Sequence, residues 1–213
     1  MIYIYATRIQ NGDQHGTAEL LLNRSLEQCT DVQTPVRYHR NEHGKPYLTD
    51  KPEIYVNWSH SGDYVICAVA DREVGIDLQY AGKEPKKSLV RKLLQPEEFH
   101  FYENVPELER QRLFYEYWAV KESFLKVLGT GFATPLDRFY VKFRKGSDVS
   151  DAVKKNAMKV PYIIQNINHK QYLCRLLPVK DEVYTAALCI ESLDKSLQEG
   201  ELFSTLEVEE IEE

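Results

Sequence analysis

The chain has 213 residues, of which 43% are hydrophobic and 28% are charged. Because this balance is typical of a globular domain, it excludes global disorder, collagen-like repeats and disulfide-rich scaffolds. The formal charge of −6 and the isoelectric point near 5.6 argue against a protein that coats nucleic acid or an anionic membrane.

The first half of the chain predicts alternating strands and one helix, separated by polar segments. The predicted segments are a strand at 1–10, a helix at 17–28, a polar loop at 37–48, a tight turn at 57–63, and strands at 64–70 and 74–78. The last two runs are apolar and joined by three polar residues, so they predict a buried hairpin.

The second half predicts two helices followed by four strands. The helices are expected near 88–103 and from about 107 to 128, where Gly129-Thr130-Gly131 is typical of a helix C-terminus. The strands are expected at 138–144, 160–167, 171–177 and 183–190. Together these segments predict an α+β fold.

The acidic charge is concentrated at the C-terminal end. Residues 191–213 hold nine acidic residues and one lysine, which leaves 26 basic and 24 acidic residues in the remainder, a net charge of +2. The pattern predicts a slightly basic body followed by an acidic tail over residues 195–213.

The sequence carries no sign of export or of membrane insertion. No apolar run approaches the roughly 20 residues that a bilayer span needs, and the first ten residues lack the basic and apolar regions of a signal peptide. The four cysteines include no C-x-x-C pair, which is typical of reduced thiols. We therefore expect a cytoplasmic protein.

Asp77 is a carboxylate inside an apolar strand, Val74-Gly75-Ile76-Asp77-Leu78. A buried charge must be paired, hydrogen-bonded or bound to a cation, because an isolated one is very costly. Gly75, two residues earlier, carries no side chain and lets a backbone or a ligand come close. Asp77 is therefore either a structural ion-pair partner or part of a functional site.

The helix predicted at 107–128 carries charge among apolar residues. Glu122 and Lys126 lie four residues apart, and Trp118 shares their face. On a solvated helix this pair would be an ordinary surface salt bridge, and that alternative stays open. The apolar surroundings favour a buried helix and a functional role for the pair.

Asp77 and Glu122 together provide the oxygen ligands that Mg²⁺ prefers. Lys121 and Lys126 could meet phosphate charge, and Ser59-His60-Ser61 offers hydroxyl, imidazole and backbone donors to phosphate oxygens. A Ser-His-Asp hydrolase is disfavoured, because adjacent residues rarely form a triad and no G-x-S-x-G is present. The residues therefore predict an Mg²⁺-dependent enzyme of phosphate chemistry.

These motifs resemble those of the 4′-phosphopantetheinyl transferases. The family's paired signatures, (V/I)-G-(I/V)-D and (W/F)-x-x-K-E-(S/A)-x-x-K, are matched by Val74-Gly75-Ile76-Asp77 and Trp118-Ala119-Val120-Lys121-Glu122-Ser123-Phe124-Leu125-Lys126. Further blocks of the longer, Sfp-type branch resemble Gly44-Lys45-Pro46-Tyr47 and Asn57-Trp58-Ser59-His60-Ser61-Gly62. Four blocks in the family's order make the resemblance specific.

The resemblance implies a fold and a domain division. Members of the family have two similar α+β halves related by a pseudo-twofold, each a long helix packed on a small antiparallel sheet, with the active site in the cleft between them. By this resemblance, residues 1–72 form the N-terminal half, residues 73–194 form the C-terminal half with the metal site, and residues 195–213 form the tail.

The resemblance also implies a reaction. Members of the family transfer 4′-phosphopantetheine from coenzyme A to a serine hydroxyl of an apo acyl or peptidyl carrier protein, and they release adenosine 3′,5′-bisphosphate. By resemblance, Asp77 and Glu122 bind Mg²⁺, and Glu122 or a metal-bound water is the candidate base for the serine proton. Lys126 stabilises the pyrophosphate charge. The remaining contacts to the phosphates of coenzyme A would come from Lys45, Ser59, His60 and Lys121.

One position departs from the family pattern. Many Sfp-type members carry a second acid two residues after the strand aspartate, where this chain has Gln79. Gln79 can offer a carbonyl oxygen to the metal but no charge, so we expect weaker Mg²⁺ binding. The basic residues that clasp the 3′-phosphate are not placed by the motifs, and Arg37 or Arg40 is the candidate substitute.

Two other functions stay open. A D…(D/E)-x-K nuclease is disfavoured because the order here is Lys-Glu and no basic face with interleaved aromatic residues is evident. A non-catalytic carrier-binding homologue is suggested by Gln79, whereas the intact Asp77, Glu122 and Lys126 argue against it.

The resemblance also implies the partners. They are coenzyme A and an apo carrier protein, with secondary metabolite synthesis as one setting, and neither nucleic acid nor membrane is expected. We expect a monomer. Because carrier proteins are typically acidic, we also expect residues 199–213 to point away from the cleft or to be mobile.

Overall fold

A computed structural model describes residues 1–144, 160–192 and 208–210 of the chain. Its N-terminal part contains β1 (Ile2–Arg8), α1 (Gln14–Cys29), β2 (Tyr38–Arg40), β3 (Pro46–Leu48), β4 (Tyr55–Ser61) and β5 (Tyr64–Ala70). Its C-terminal part contains β6 (Val74–Tyr80), α2 (Lys87–Leu93), α3 (Pro96–Asn104), α4 (Glu107–Leu128), β7 (Phe139–Arg144), β8 (Val160–Gln165), β9 (Gln171–Leu177) and β10 (Tyr184–Ser192). A last strand, β11, spans Val208–Glu210.

The N-terminal sheet has the strand order β11-β1-β5-β4. β1 and β4 flank β5 in antiparallel register, and β11 pairs with β1 in parallel. α1 packs a leucine-rich stripe on one face of this sheet. The helix begins earlier than predicted, because the Asp13 carboxylate accepts the Gly16 backbone N–H at 2.9 Å and caps the helix.

The C-terminal sheet has the order β6-β10-β9, and both of its pairings are antiparallel. α4 packs on β6 and β10. A Cβ atom on Gly75 of β6 would lie only 2.1 Å from the Ser123 backbone oxygen of α4. The predicted close approach at Gly75 is thus confirmed, and the neighbour is a helix backbone. α4 ends at Gly129 in the left-handed conformation, as predicted.

The two sheets face each other and the two long helices lie outside them. Ile66 and Ala68 of β5 share one buried cluster with Ile76 and Leu188 of the other sheet. Alternate residues of β10, including Ala187, turn the other way and pack on α4. The order of layers is therefore α1, N-terminal sheet, C-terminal sheet, α4. Mixed helices and antiparallel sheets confirm the α+β prediction.

Three sequence predictions are wrong in detail. Residues 64–70 and 74–78 do not form a hairpin, because their strands belong to different sheets. Residues 57–61 lie inside β4, and the turn is limited to Gly62 and Asp63, where Gly62 has a positive φ of 54°. The helix predicted near 88–103 is divided into α2 and α3, since Pro96 and a capping box between Gln95 and Glu98 start a new helix.

Most of the predicted acidic tail lies outside the described residues. The part that is described, residues 208–210, extends the N-terminal sheet as β11. This part of the tail lies at the edge of the sheet opposite β4. Within the described residues, no helix has both the length and the hydropathy needed to cross a membrane.

Candidate active site

The edge strands β4 and β6 are joined by polar side chains. Asn57, Ser59 and Ser61 alternate along β4 and so lie on one side of it. The Asn57 side-chain oxygen accepts the Ile76 N–H at 3.0 Å, and the Ser61 hydroxyl accepts the Tyr80 N–H at 2.8 Å. This seam between the two sheets places the middle residue, Ser59, next to Asp77.

Asp77 is 3% exposed and its carboxylate is fully engaged. One oxygen accepts hydrogen bonds from the Ser59 hydroxyl at 2.9 Å and from the Lys126 ammonium at 2.7 Å. The other oxygen accepts the Gln79 side-chain amide at 2.8 Å. Lys126 also donates to the Ile76 carbonyl at 3.0 Å. The predicted pairing of a buried Asp77 is confirmed, and its partners come from β4, β6 and α4.

Glu122 lies one turn before Lys126 on α4 and is half-buried. Burial raises the pKa of Glu122 to about 7, and the nearby negative charge of Asp77 adds to the shift. The Lys126 ammonium and a hydrogen bond from the Trp118 side chain act in the opposite direction on this pKa. Asp77 and Glu122 are thus two carboxylates near one lysine, and such a site attracts further positive charge.

A cavity of about 250 Å³ opens beside Glu122 and Lys126. Its other walls are Arg40, residues 43–46, the β4 residues Asn57 and Trp58, Leu125 of α4, and the glycines that follow α4. Both sequence halves thus contribute to one cavity. A larger groove of about 490 Å³ lies between α3 and β7, and none of the predicted site residues lines it.

Lys45 lines the cavity, but its ammonium is already engaged. It is paired with the Glu73 carboxylate and donates to the Val127 carbonyl at 2.8 Å. Burial lowers the pKa of Lys45, while the negative charge of Glu73 opposes this shift. The Lys45 side chain thus joins the cavity wall to α4, and its contact with a phosphate stays a prediction.

The structure places Lys121 in the interior, and it does not line the cavity beside Glu122. Lys121 is fully buried and forms an ion pair with Glu98 at 2.7 Å. Glu98 also accepts the backbone N–H groups of Gln95 and Val141 at 2.6 Å each. Because successive helical residues point about 100° apart, Lys121 faces α3 and β7 while Glu122 faces the cavity. Lys121 is therefore a core residue.

The other predicted basic contacts are divided between the site and the surface. His60 is exposed, and its ring lies 6.3 Å from that of His15 at the start of α1. The pKa of His60 is lowered by the partial burial of its ring and then by the positive charges of His15 and Lys126. The sequence interpretation missed His15, since only the fold brings α1 next to β4. Arg40 lines the cavity with its guanidinium over the Trp58 ring at 5.0 Å. Arg37 instead pairs with the exposed Asp50 at 3.1 Å.

Residues 73–177 match the family model described as the 4′-phosphopantetheinyl transferase superfamily. A 4′-phosphopantetheinyl transferase of Bacillus subtilis is 34% identical over 109 residues, which cover 51% of this chain and 48% of the relative. The 4′-phosphopantetheinyl transferase Sfp of Bacillus subtilis strain 168 is 34% identical over 115 residues, which cover 54% and 51% respectively. The predicted resemblance to the Sfp-type 4′-phosphopantetheinyl transferases is confirmed.

The match to these transferases is partial in length. The chain spans about half the length of the relatives named here. Among solved structures, a holo-(acyl-carrier-protein) synthase from Bacillus anthracis in complex with CoA (3′,5′-ADP) has a TM-score of 0.43 and 17% identity, and the match covers 56% of this chain and 96% of that one. A score below 0.5 supports no inference about the site.

The residues of this site fit a magnesium ion by their donor chemistry. Asp77 and Glu122 offer two carboxylates, and Mg²⁺ typically takes one or two together with water and substrate phosphates. Since a carboxylate only accepts, the Gln79 amide nitrogen faces Asp77 and its oxygen is turned away from that carboxylate. Among the described residues no group of three or more His, Cys, Asp or Glu side chains could hold a metal by itself. Substrate phosphate would have to complete the site.

Proposed function

We propose that this protein transfers 4′-phosphopantetheine from coenzyme A to a serine hydroxyl of an apo carrier protein. The observation that carries the proposal is the arrangement of Glu122 and Lys126, which face one cavity and lie next to the buried Asp77. The family membership of residues 73–177 supports the same reaction.

The proposed reaction exchanges one phosphorus–oxygen bond for another. The serine oxygen of the carrier forms a bond to the phosphorus that carries pantetheine, and the bond from that phosphorus to the adenosine 3′,5′-bisphosphate breaks. Glu122 takes the serine proton, a role suited to a carboxylate that lines the cavity. Lys126 neutralises negative charge that develops on the leaving phosphate.

The ligands of the proposed Mg²⁺ are Asp77, Glu122 and, through its side-chain oxygen, Gln79. When bound, Mg²⁺ would neutralise pyrophosphate charge and align it for the transfer. Burial, and then the negative charge of Asp77, raise the pKa of Glu122, and a cation beside the two carboxylates would relieve both effects. His60 and Arg40, at the site and the cavity wall, supply positive or donor groups for the remaining phosphates of coenzyme A.

The two halves are proposed to be structural repeats related by a pseudo-twofold. In each half a strand is followed by a long helix, which two shorter helices precede in the C-terminal half, and then by four strands. The first strand of each half pairs with the last of these four, which in turn pairs with the one before it. The division at residues 72 and 73 falls in the segment that leaves one sheet for the other. This repeat supports placing the coenzyme A site between the halves.

The working context of the enzyme is also a proposal. A cytoplasmic monomer that modifies carrier proteins, including those of secondary metabolism, is consistent with the family. A sedimentation experiment on the purified chain should find one species near its 24.8 kDa mass. A stable dimer would contradict the monomer.

The transferase proposal is tested by weighing a carrier. Apo carrier proteins of fatty-acid, polyketide and peptide-synthetase origin are each incubated with the protein, coenzyme A and Mg²⁺, and their intact masses are measured. We expect the native protein to add phosphopantetheine to one of these carriers. The adduct should be absent with Glu122→Gln and present with the exposed control Glu19→Gln. No adduct on any carrier would refute the proposal, and coenzyme A binding without transfer would favour the non-catalytic homologue.

A further inference from the structure

The last turn of α4 carries backbone carbonyls that the helix itself cannot satisfy. Two carbonyls at this end accept side-chain donors from the other half of the chain. The Val127 carbonyl accepts the Lys45 ammonium at 2.8 Å, and the Gly129 carbonyl accepts the Asn41 side-chain amide at 2.7 Å. Both donors lie in the loop 41–45 between β2 and β3. The end of α4 is therefore capped from the N-terminal half.

Asn41 also shapes the loop from which it reaches α4. Its side-chain oxygen accepts the backbone N–H groups of His43 at 3.0 Å and of Lys45 at 2.9 Å. Its own backbone N–H donates to the Lys45 carbonyl at 2.9 Å. The Asn41 side-chain oxygen thus orders the loop, while the amide nitrogen of the same side chain holds the end of α4.

The contact between loop and helix leaves little free space. A Cβ atom on Gly129 would lie 2.9 Å from the Lys45 side chain and 3.2 Å from the Asn41 amide nitrogen. Gly129 also has a positive φ of 71°, which glycine adopts without strain. The loop therefore packs directly on the residue that ends α4.

The same loop and the same helix end form two walls of the cavity at Glu122 and Lys126. We propose that Asn41 is a positioning residue, which clamps the end of α4 to the loop 41–45 and so holds the cavity in its ligand-binding shape. Its effect on coenzyme A rests on the proposed function, whereas the clamp itself does not. Asn41 acts through the Gly129 carbonyl and Lys45.

Without the clamp, a smaller fraction of the molecules should hold the cavity in its ligand-binding shape. If the competent fraction falls about tenfold, the apparent affinity for the ligand falls by the same factor, while the ligand-bound state is unchanged. Asn41→Ala is therefore expected to raise the KM for coenzyme A about tenfold and to change kcat less than threefold. A purely structural loss of folded protein would instead lower kcat at constant KM.

The matched control is Asn23, another half-buried asparagine that ties a helix to a loop. Its amide donates to the Glu19 carbonyl at 2.9 Å and its oxygen accepts the Val36 N–H at 2.9 Å. Asn23 belongs to α1 and does not line the cavity. Asn23→Ala removes a similar set of bonds and should leave the KM for coenzyme A unchanged.

Asn41→Asp separates the two ends of the Asn41 side chain. A carboxylate still accepts both loop N–H groups but cannot donate to the Gly129 carbonyl. Because a charge at this position would also repel an anionic ligand, this variant is judged by hydrogen exchange of residues 126–129 in ligand-free protein. We expect exchange at least tenfold faster in Asn41→Ala and Asn41→Asp, with Asn23→Ala equal to the native protein.

Three results would overturn the clamp as proposed. They are unchanged exchange at 126–129 in Asn41→Ala, the same acceleration in Asn23→Ala, or faster exchange with no change in the KM for coenzyme A. A native protein that transfers nothing to any carrier would overturn the proposed function instead. In that case the exchange measurements still decide whether Asn41 holds the end of α4.

Discussion

Glu122→Gln should make the ligand-free protein more stable at alkaline pH while it abolishes transfer. An unfolded glutamate loses its proton near pH 4.5, whereas burial and Asp77 raise the pKa of Glu122 to about 7 in the folded protein. Between these two pH values the folded state binds more protons than the unfolded state. The stability of the native protein therefore falls as the pH rises through this window and levels off above it.

The size of the effect follows from the shift. At about 1.36 kcal/mol for each pKa unit, a pKa that rises from 4.5 to about 7 has an upper limit of about 3 kcal/mol. Since Glu122 is only half-buried and solvent screens part of the repulsion, we expect about 1 to 2 kcal/mol. For a chain of this length, that corresponds to an increase in Tm of about 2 to 8 °C.

The assay is thermal or urea unfolding of metal-free protein in EDTA at several pH values. The stability advantage of Glu122→Gln over the native protein should be near zero at pH 4.5 and should reach its full size by pH 8. Glu19→Gln, which changes an exposed glutamate of α1, should show no such trend. Adding Mg²⁺ at pH 8 should stabilise the native protein more than the Glu122→Gln variant.

Two outcomes would refute this reasoning. If Glu122→Gln shows the same stability difference at pH 5 and pH 8, then Glu122 does not titrate in the predicted window. If the variant is less stable than the native protein at pH 8, then the Glu122 carboxylate is held by attraction to Lys126 and is not strained by Asp77. Either result would remove the physical basis for a cation at this position.

Three further substitutions test other parts of the structure. Gly75→Ala places a methyl group 2.1 Å from an α4 backbone oxygen, so the free energy of unfolding in urea should fall by about 3 kcal/mol. A fall below about 1 kcal/mol would contradict the close approach. Lys121→Ala leaves Glu98 buried without its partner and should cost about 3 to 5 kcal/mol, whereas the folded fraction should keep a KM for coenzyme A within twofold of native. Gln79→Glu replaces a donor to Asp77 by a third carboxylate, so the Mg²⁺ concentration that gives half-maximal activity should fall severalfold. If the Mg²⁺ dependence is unchanged, then the idea that Gln79 weakens Mg²⁺ binding is wrong.

Local sequence patterns were sufficient for several central features. The apolar run around Asp77 predicted a buried carboxylate with partners, and the missing side chain at Gly75 predicted a close neighbour. The apolar helix that ends at Gly129 was predicted nearly in full, because helix periodicity and the C-terminal glycine are encoded within a few turns. Such features depend on residues close together in sequence.

Strand partners were decided only by the tertiary structure. β5 and β6 are adjacent in sequence and both apolar, so a hairpin was the simplest interpretation. In the structure β5 pairs with β1 and β4, while β6 pairs with β10, more than 100 residues later in the chain. A run that is apolar on both faces indicates burial on both sides, but it carries no information on which strands lie beside it.

The sequence by itself determined the family resemblance and the residue types of the candidate site, since four short motifs carry both. The tertiary structure decided which of those residues face the cavity. Lys121 and Glu122 are neighbours in one motif, yet Lys121 pairs with Glu98 in the core and only Glu122 lines the cavity. Lys45 likewise holds α4 rather than projecting a free ammonium. The physical reason is that the partner of a charged side chain is set by distant elements that pack against it, and no local pattern records them.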